Sequence, residues 1–492
     1  MLTSPPPRFN MAAHVLAHAG ERADHPALIM PGDRTWTYRD IAQAVRGTAT
    51  GLLRLASPGD RVLMRLGNTT DFPITYLACI TAGLIPVPTS ALLTSSEVTK
   101  MARELSPALI VQAGHVAAAL GDWPVLPASA LATFRDLPPA DFMMGGPDRP
   151  AYIVYTSGTS GHARAVVHAH RAIWARRMMW DGWYGLTPDD RLMHAGAFNW
   201  TYTLGTGLMD PWSVGATAII PPEGTDAATL PDLMRAHDAT IFAAAPGVYR
   251  RILRHDINRV PSLRHGLSAG EKLPETLRIL WESQTGTPIH EAFGMSEVST
   301  FISGSPARPA PQGTLGFPQP GRQVALLGPD GPADHGQIAV HRSDPGLMLG
   351  YFNQPEETAA RFSGDWFLTG DEGTRDATGA IAYAGRADDM MNAGGTRVSP
   401  MEVEAVLSTH PAITEVACAE LRLSPDLSLI GAFYTASSVL DEDELRQFAA
   451  THLAAYKVPR VFVHRDALPR GANNKLLRRR LRTEWEAAHG QA

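Results

Sequence analysis

Residues 61–88 read RVLMRLGNTTDFPITYLACITAGLIPVP, and this stretch decides the fold class. The apolar run Arg61–Leu66 predicts a strand, Asp71 to about Ala82 a helix, and Ile85–Pro88 a second strand. A strand, a helix and a strand in such close succession form a βαβ unit, the connection that parallel strands require. Helices then cover the faces of the sheet. Working outward, Ala27–Met30 and Thr35–Tyr38 flank a turn at Pro31-Gly32-Asp33, and Ile41–Leu55 carries helical periodicity. Downstream the alternation continues with helix Ser95–Leu105, strand Ala108–Val111, strand Tyr152–Tyr155 and helix His170–Trp180. Strand Ala216–Ile220, helix Leu230–Ala236 and strand Ile241–Ala244 follow. The class is α/β.

After about Gly313 the texture changes to short strands, such as Gln337–Val340 and Ala380–Tyr383, between Gly- and Pro-rich turns. Beyond Arg386 a compact pattern begins. Ser399-Pro400-Met401-Glu402 predicts a helix start, with Ser399 as N-cap, Pro400 at the first helical position and Glu402 closing a capping box. Strands Glu415–Leu421 and Leu429–Tyr434 and helix Glu442–His452 follow, then the basic stretch Lys475–Arg482. The expected boundary lies at Asp388, giving domains 1–387 and 388–492.

Composition narrows the function. The 492 residues are 44% hydrophobic and 19% charged, which excludes disordered and fibrous classes. A net charge of −6 argues against nucleic acid as the main partner. Cys79 and Cys418 are the two cysteines, too few for a disulfide framework and without metal-site spacing. The most apolar stretch, Tyr76 to Leu93, is interrupted by Thr81, Gly83, Pro86 and Pro88, so no membrane span is expected. The N-terminus lacks the pattern of a signal peptide, and a cytoplasmic enzyme is the expectation.

The segment Tyr155-Thr156-Ser157-Gly158-Thr159-Ser160-Gly161-His162-Ala163-Arg164 follows an apolar strand and precedes a helical pattern. Interleaved hydroxyls and glycines let backbone N–H groups and side-chain oxygens wrap a polyphosphate, with Arg164 as cation. No Gly-Lys-Ser/Thr occurs, so the loop is not a Walker sequence. Lysine stands only at 100, 272, 457 and 475. Lys475, in Asn473-Asn474-Lys475-Leu476-Leu477-Arg478-Arg479-Arg480, is therefore conspicuous where arginine is the default cation. A compact ammonium aimed at one oxygen gives it a reason.

Together with further segments in order, this loop resembles the acyl-adenylate-forming superfamily of AMP-dependent synthetases and ligases, in feel the benzoate-type aryl- and acyl-CoA ligases. The other matching segments are Ser268-Ala269-Gly270-Glu271, Glu291-Ala292-Phe293-Gly294-Met295-Ser296-Glu297, Trp366-Phe367-Leu368-Thr369-Gly370-Asp371, Gly385-Arg386-Ala387-Asp388-Asp389 with Gly395-Thr396-Arg397, and Leu468-Pro469-Arg470 through Arg479. The resemblance implies a large N-terminal domain with two mostly parallel sheets and a distorted β-barrel. A small mobile α+β lid would follow a hinge at Asp388.

It also implies ATP, Mg²⁺ and coenzyme A. In that reading Thr156, Ser157, Gly158, Thr159, Ser160, Gly161 and Arg164 cradle phosphates. Gly270, Glu271, Phe293 and Gly294 surround the adenine. Asp371 holds the ribose hydroxyls, with Arg386, Gly395 and Arg397 on the nucleotide and coenzyme side. Glu297 and Thr159 meet the metal, Ser296 offers a hydroxyl to the α-phosphate, and Lys475 bridges the acyl carboxylate and that phosphate. Ser296 stands for the family's Thr, Arg164 for its Lys, and Asn474 for a common Gly.

Substrate choice turns on Phe198-Asn199-Trp200-Thr201-Tyr202. Amino-acid activators carry an Asp where Asn199 stands; a neutral amide cannot pair with an ammonium, so α-amino acids are disfavoured. Trp200, Tyr202 and Phe242 suit a flat aromatic acid. The expected reaction is ATP-dependent conversion of a ring-bearing acid to acyl-AMP and then acyl-CoA. A carrier protein as acceptor, a medium-chain acid and a homodimer stay open as alternatives.

Overall fold

The structure is a computed structural model that describes residues 4–156, 164–255, 257, 259–386, 389, 391–393, 396–424, 427–453, 455–471 and 476–489. The backbone groups into two compact units, residues 1–323 with 341–365, and residues 324–340 with 366–492. The boundary expected at Asp388 falls within the span of the second unit, and Asp388 lies outside the described residues.

The βαβ reading holds in the first unit. Strands Arg61–Arg65 and Ile85–Pro88 pair in parallel around helix Asp71–Thr81, whose residues from Phe72 to Thr81 are all buried. A helix apolar on every side belongs in an interior. Leu109–Gln112 and Val125–Pro127 extend this sheet in parallel. The larger sheet orders its strands 317–318, 299–303, 289–295, 265–269, 241–244, 191–194, 217–219, 26–29, 36–37. Its central strands are parallel, and antiparallel strands close both edges. Strand Ile241–Ala244 shows how two cores share one sheet. Ile241 and Ala243 pack with Trp183 and Tyr202 on one face; Phe242 and Ala244 pack with Tyr249 and Trp281 on the other.

The segment after the Thr/Ser/Gly loop departs from expectation. Ala165–Ala169 is a strand, antiparallel to Pro150–Tyr155, and helix Ala172–Met179 begins only after it. The β-branched Val166 and Val167 favour extended backbone. The loop therefore joins the two strands of a hairpin, and the helix dipole lies a full strand away from it.

In the second unit, Val324–Gly328 lies antiparallel between Gly331–Ala333 on one side and His335–His341 on the other, and Trp366–Arg375 pairs with Ile381–Arg386. Further along, Glu415–Ser424 lies antiparallel to Leu427–Thr435, which pairs in parallel with Val461–His464. Alternation splits the first of these strands between two cores. Cys418 joins Val403, Leu445 and Phe462, while Ala417, Ala419 and Leu421 join Leu481 and Trp485.

The helix Pro400–Leu407 starts where expected but without its capping box. The Ser399 hydroxyl donates to the Ala384 carbonyl, and Glu402 pairs with Lys457. Each partner is a tertiary contact that outcompetes the local cap. Both cysteines are buried, and burial pushes both thiols well up. Among the described residues no helix is long and apolar enough to cross a membrane.

Candidate active site

The strand Ile289–Met295 and its antiparallel neighbour Ser299–Ser303 carry the most informative turn. A Cβ at Gly294 would collide with the Ser299–Thr300 backbone, so only glycine lets the strands approach. Ser299 sits at φ +76, a left-handed conformation costly for a serine. Within the turn, Glu297 is 6% exposed and accepts a hydrogen bond from the Tyr351 hydroxyl at 2.8 Å. Burial, and next the Glu297 carboxylate, push the Tyr351 phenol up. Tyr351 is 54 residues away in the chain, and no local pattern announces it. It arrives because Gly350–Tyr351 pairs with strand Ala165–Ala169.

Arg164 joins the same cluster. Its guanidinium lies 5.4 Å from the Tyr351 ring centre and pairs with Glu357. The Thr156 amide donates to the Arg164 carbonyl at 2.9 Å, closing the neck of the loop. Ser157, Gly158, Thr159, Ser160 and Gly161 lie outside the described residues. Ser296 is half-buried, and its carbonyl accepts from His168 Nε2 at 2.7 Å. Phe293 is half-buried and edge-on to Phe301 at 5.4 Å.

The acid-side segment stands beside this turn's sheet. Gly270, at φ +94, ends the strand His265–Ala269, and a Cβ there would lie 2.6 Å from Trp200 Cζ2. Trp200 meets Tyr202 edge-on at 5.1 Å, and the Tyr202 hydroxyl donates to the Leu267 carbonyl at 3.1 Å. Asn199 and Glu271 are half-buried. Phe242 does not join this wall. It is fully buried on the opposite face of the sheet, stacked on Trp281 at 5.9 Å, because side chains alternate along a strand.

Beneath the wall runs a buried ion pair that sequence reasoning missed. Arg176 Nε and Nη2 hold both oxygens of Asp210, and Nη1 donates to Ser299 Oγ at 2.6 Å. A Cβ at Gly205 would strike the guanidinium, so glycine is required there.

In the second unit Asp371 lies directly opposite Arg386 in the strand pair. Its Oδ1 accepts from the Tyr383 hydroxyl at 2.9 Å, and Oδ2 lies 3.4 Å from Arg386 Nη1. Near the C-terminus, Arg470 bridges to Leu476 and the Leu477 amide donates to the Pro469 carbonyl, pairing the flanks of the lysine segment. Lys475, Gly395, Asp388 and the side chain of Arg397 lie outside the described residues.

The family model "AMP-binding enzyme" matches residues 15–352, and that of the AMP-binding enzyme C-terminal domain matches 402–475. The chain belongs to the AMP-binding enzymes. Among curated members, a benzoate–CoA ligase of Thauera aromatica is 31% identical over 91% of each chain. Two solved structures superpose along nearly the whole chain. The anthranilate CoA ligase AuaEII in complex with anthranoyl-AMP has a TM-score of 0.88 at 26% identity, covering 99% of both chains. A benzoate CoA ligase from Burkholderia xenovorans LB400 has a TM-score of 0.84 at 28% identity, covering 96% of this chain and 100% of that one. The family brings the two-domain adenylate-forming fold with it.

Proposed function

We propose that the chain is an AMP-forming acid–thiol ligase that activates an aryl acid with ATP and passes the acyl group to coenzyme A. The observation that carries this reading is the aromatic wall: Trp200 seated on Gly270 and edge-on to Tyr202, with a neutral amide at Asn199. The relatives named for benzoate and anthranilate belong to the same substrate class. In the first half-reaction a carboxylate oxygen of the acid attacks the α-phosphorus of ATP, and the bond to pyrophosphate breaks. This chemistry is mostly positioning and charge neutralisation. Thr156 and Arg164 belong to the phosphate side, Phe293 to adenine, Asp371 to the ribose hydroxyls, and Ser296 and Lys475 to the α-phosphate.

Mg²⁺ fits the residues present. The Glu297 carboxylate, held by the Tyr351 hydroxyl, keeps acceptor capacity for a hard cation. Among the described residues no cluster of three His, Cys, Asp or Glu could hold a metal ion, in keeping with a magnesium ion held mainly by substrate phosphates. When bound, it neutralises phosphate charge. Glu297→Gln is expected to raise the Mg²⁺ concentration needed for half-maximal pyrophosphate release and to slow adenylation. An unchanged Mg²⁺ dependence would remove Glu297 from that role.

In the second half-reaction the coenzyme A thiolate attacks the acyl carbonyl and AMP leaves. We assign residues 388–492 as a lid turning about Asp388 between the two steps, in the cytoplasm. Pyrophosphate release with a panel of acids tests the substrate class; thioester formation with CoA against a phosphopantetheinylated carrier protein tests the acceptor. Within that panel, Trp200→Ala should shift preference toward bulkier acids by tens-fold, because apolar fit is worth only ~1–3 kcal/mol. Highest efficiency on a linear acid, indifferent to Trp200→Ala, would end the aryl reading.

A further inference from the structure

The turn that carries Ser296 and Glu297 is held by partners far away in the chain. The Met348 amide donates to the Glu297 carbonyl at 2.8 Å, and the Tyr351 hydroxyl donates to its carboxylate. Arg176, paired with Asp210, donates to Ser299 Oγ at 2.6 Å. Arg322, paired with Asp344 in full burial, donates to the Thr300 carbonyl at 3.0 Å. Two buried Arg–Asp pairs thus grip the end of the turn where Ser299 keeps its left-handed backbone. At the other end stands His168, its Nε2 at 2.7 Å from the Ser296 carbonyl.

A carbonyl oxygen only accepts, so Nε2 of His168 carries the proton. The ring is buried and stacks on Tyr152 at 4.9 Å with the planes 18° apart, which fixes the direction of its N–H. The place of His168 in the chain gives the contact its meaning. It lies on the strand Ala165–Ala169, just beyond Arg164, whose carbonyl closes the neck of the Thr/Ser/Gly loop by accepting from the Thr156 amide. Val166 and Val167 of the same strand pair with Tyr351 and Gly350. One strand therefore meets Glu297 through Tyr351 and Ser296 through His168, and begins where the loop ends.

We propose that His168 is a positioning residue for adenylation: its Nε2–H holds the Ser296 carbonyl, so that the Ser296 hydroxyl and the Glu297 carboxylate are presented together to the nucleotide phosphates. The proposal rests on the roles given above to Ser296 and Glu297, and adds a residue that touches neither substrate nor metal. Packing alone would ask only for a flat ring on Tyr152, whereas positioning asks for an N–H at the place of Nε2. Two substitutions separate these demands. His168→Gln keeps a donor close to that place and gives up the ring. His168→Phe keeps the ring and its stacking, and takes the donor away from the Ser296 carbonyl.

The test measures pyrophosphate release by the full-length enzyme with benzoate, the three hydroxybenzoates, hexanoate and decanoate, and compares the variants on the acid that the unaltered enzyme uses best. His168→Phe should lower kcat at least tenfold and leave KM for the acid within threefold. A displaced turn costs stabilisation of the transition state rather than binding of the acid, and small misplacements are expensive. His168→Gln should keep at least a third of the original kcat. Thioester formation from chemically prepared acyl-adenylate and coenzyme A should stay within threefold in both variants, since pyrophosphate and its metal take no part in it. Undiminished adenylation in His168→Phe, a loss in His168→Gln as large as in His168→Phe, or thioester formation falling in step with adenylation would overturn this proposal and leave the proposed function standing. An unaltered enzyme that releases pyrophosphate with none of these acids would overturn both.

Discussion

Lys475→Ala is expected to lower acid-dependent pyrophosphate release by about 10²–10³, the usual cost of losing one donor that meets developing transition-state charge. The lysine is assigned to the acyl carboxylate and the α-phosphate, which carry that charge in adenylation alone. Thioester formation from chemically prepared acyl-adenylate should therefore survive nearly intact. The comparison is made on one preparation: pyrophosphate release from acid and ATP, then thioester formation from the adenylate and CoA. Lys475→Arg sharpens it, since a planar fork replaces a point charge, and it should rescue poorly. Equal losses in both half-reactions would contradict the assignment.

Acid should unfold this protein steeply between pH 6.5 and 4. Burial pushes the pKa of five interior histidines of the first unit down: His168 and His265 to about 4, His170, His194 and His290 to about 3. Folded-state values below the unfolded 6.5 mean that their stabilising contribution is complete above pH 6.5. It is lost as the pH falls and the unfolded chain alone takes up protons. Glu291 works the other way. Burial lifts its carboxyl to about 7, against Leu273 N–H and Arg278, so it favours the folded state as the pH drops. Near pH 5 the balance is about four protons, or roughly 5 kcal/mol of stability per pH unit, a large part of a typical total. Urea midpoints at pH 7, 6 and 5 measure it directly. Equal midpoints at pH 7 and 5 would refute it.

Much of the fold was legible because hydrophobic periodicity and side-chain burial coincide in its elements. The helices Ser95–Leu105, Leu230–Ala236 and Glu442–His452 and the strand Ile241–Ala244 run over the residues their patterns indicate. What escaped was set by distant partners. The cap at Ser399 was lost to Ala384, and nothing local to Arg176 or Asp210, 34 residues apart, reveals that they pair. Phe242 shows a limit of parity: alternation tells that neighbours face opposite ways, not which face holds a ligand. The short strand after the Thr/Ser/Gly loop was visible in Val166 and Val167, but the helical pattern beyond it obscured the signal. Order of motifs supplied the candidate nucleotide side; Tyr351, brought to Glu297 by strand pairing, could come only from three dimensions.

The two buried thiols have a practical side. Cys79 sits in the interior helix Asp71–Thr81 and Cys418 in the strand Glu415–Ser424, one in each unit, and burial holds both in the unreactive protonated form. Thiol reagents need a thiolate and access to it. The native chain is thus already a silent background for maleimide chemistry. A pair of exposed cysteines introduced one per unit would carry donor and acceptor dyes with no prior removal of native ones, and energy transfer between them would test in real time the lid motion proposed above.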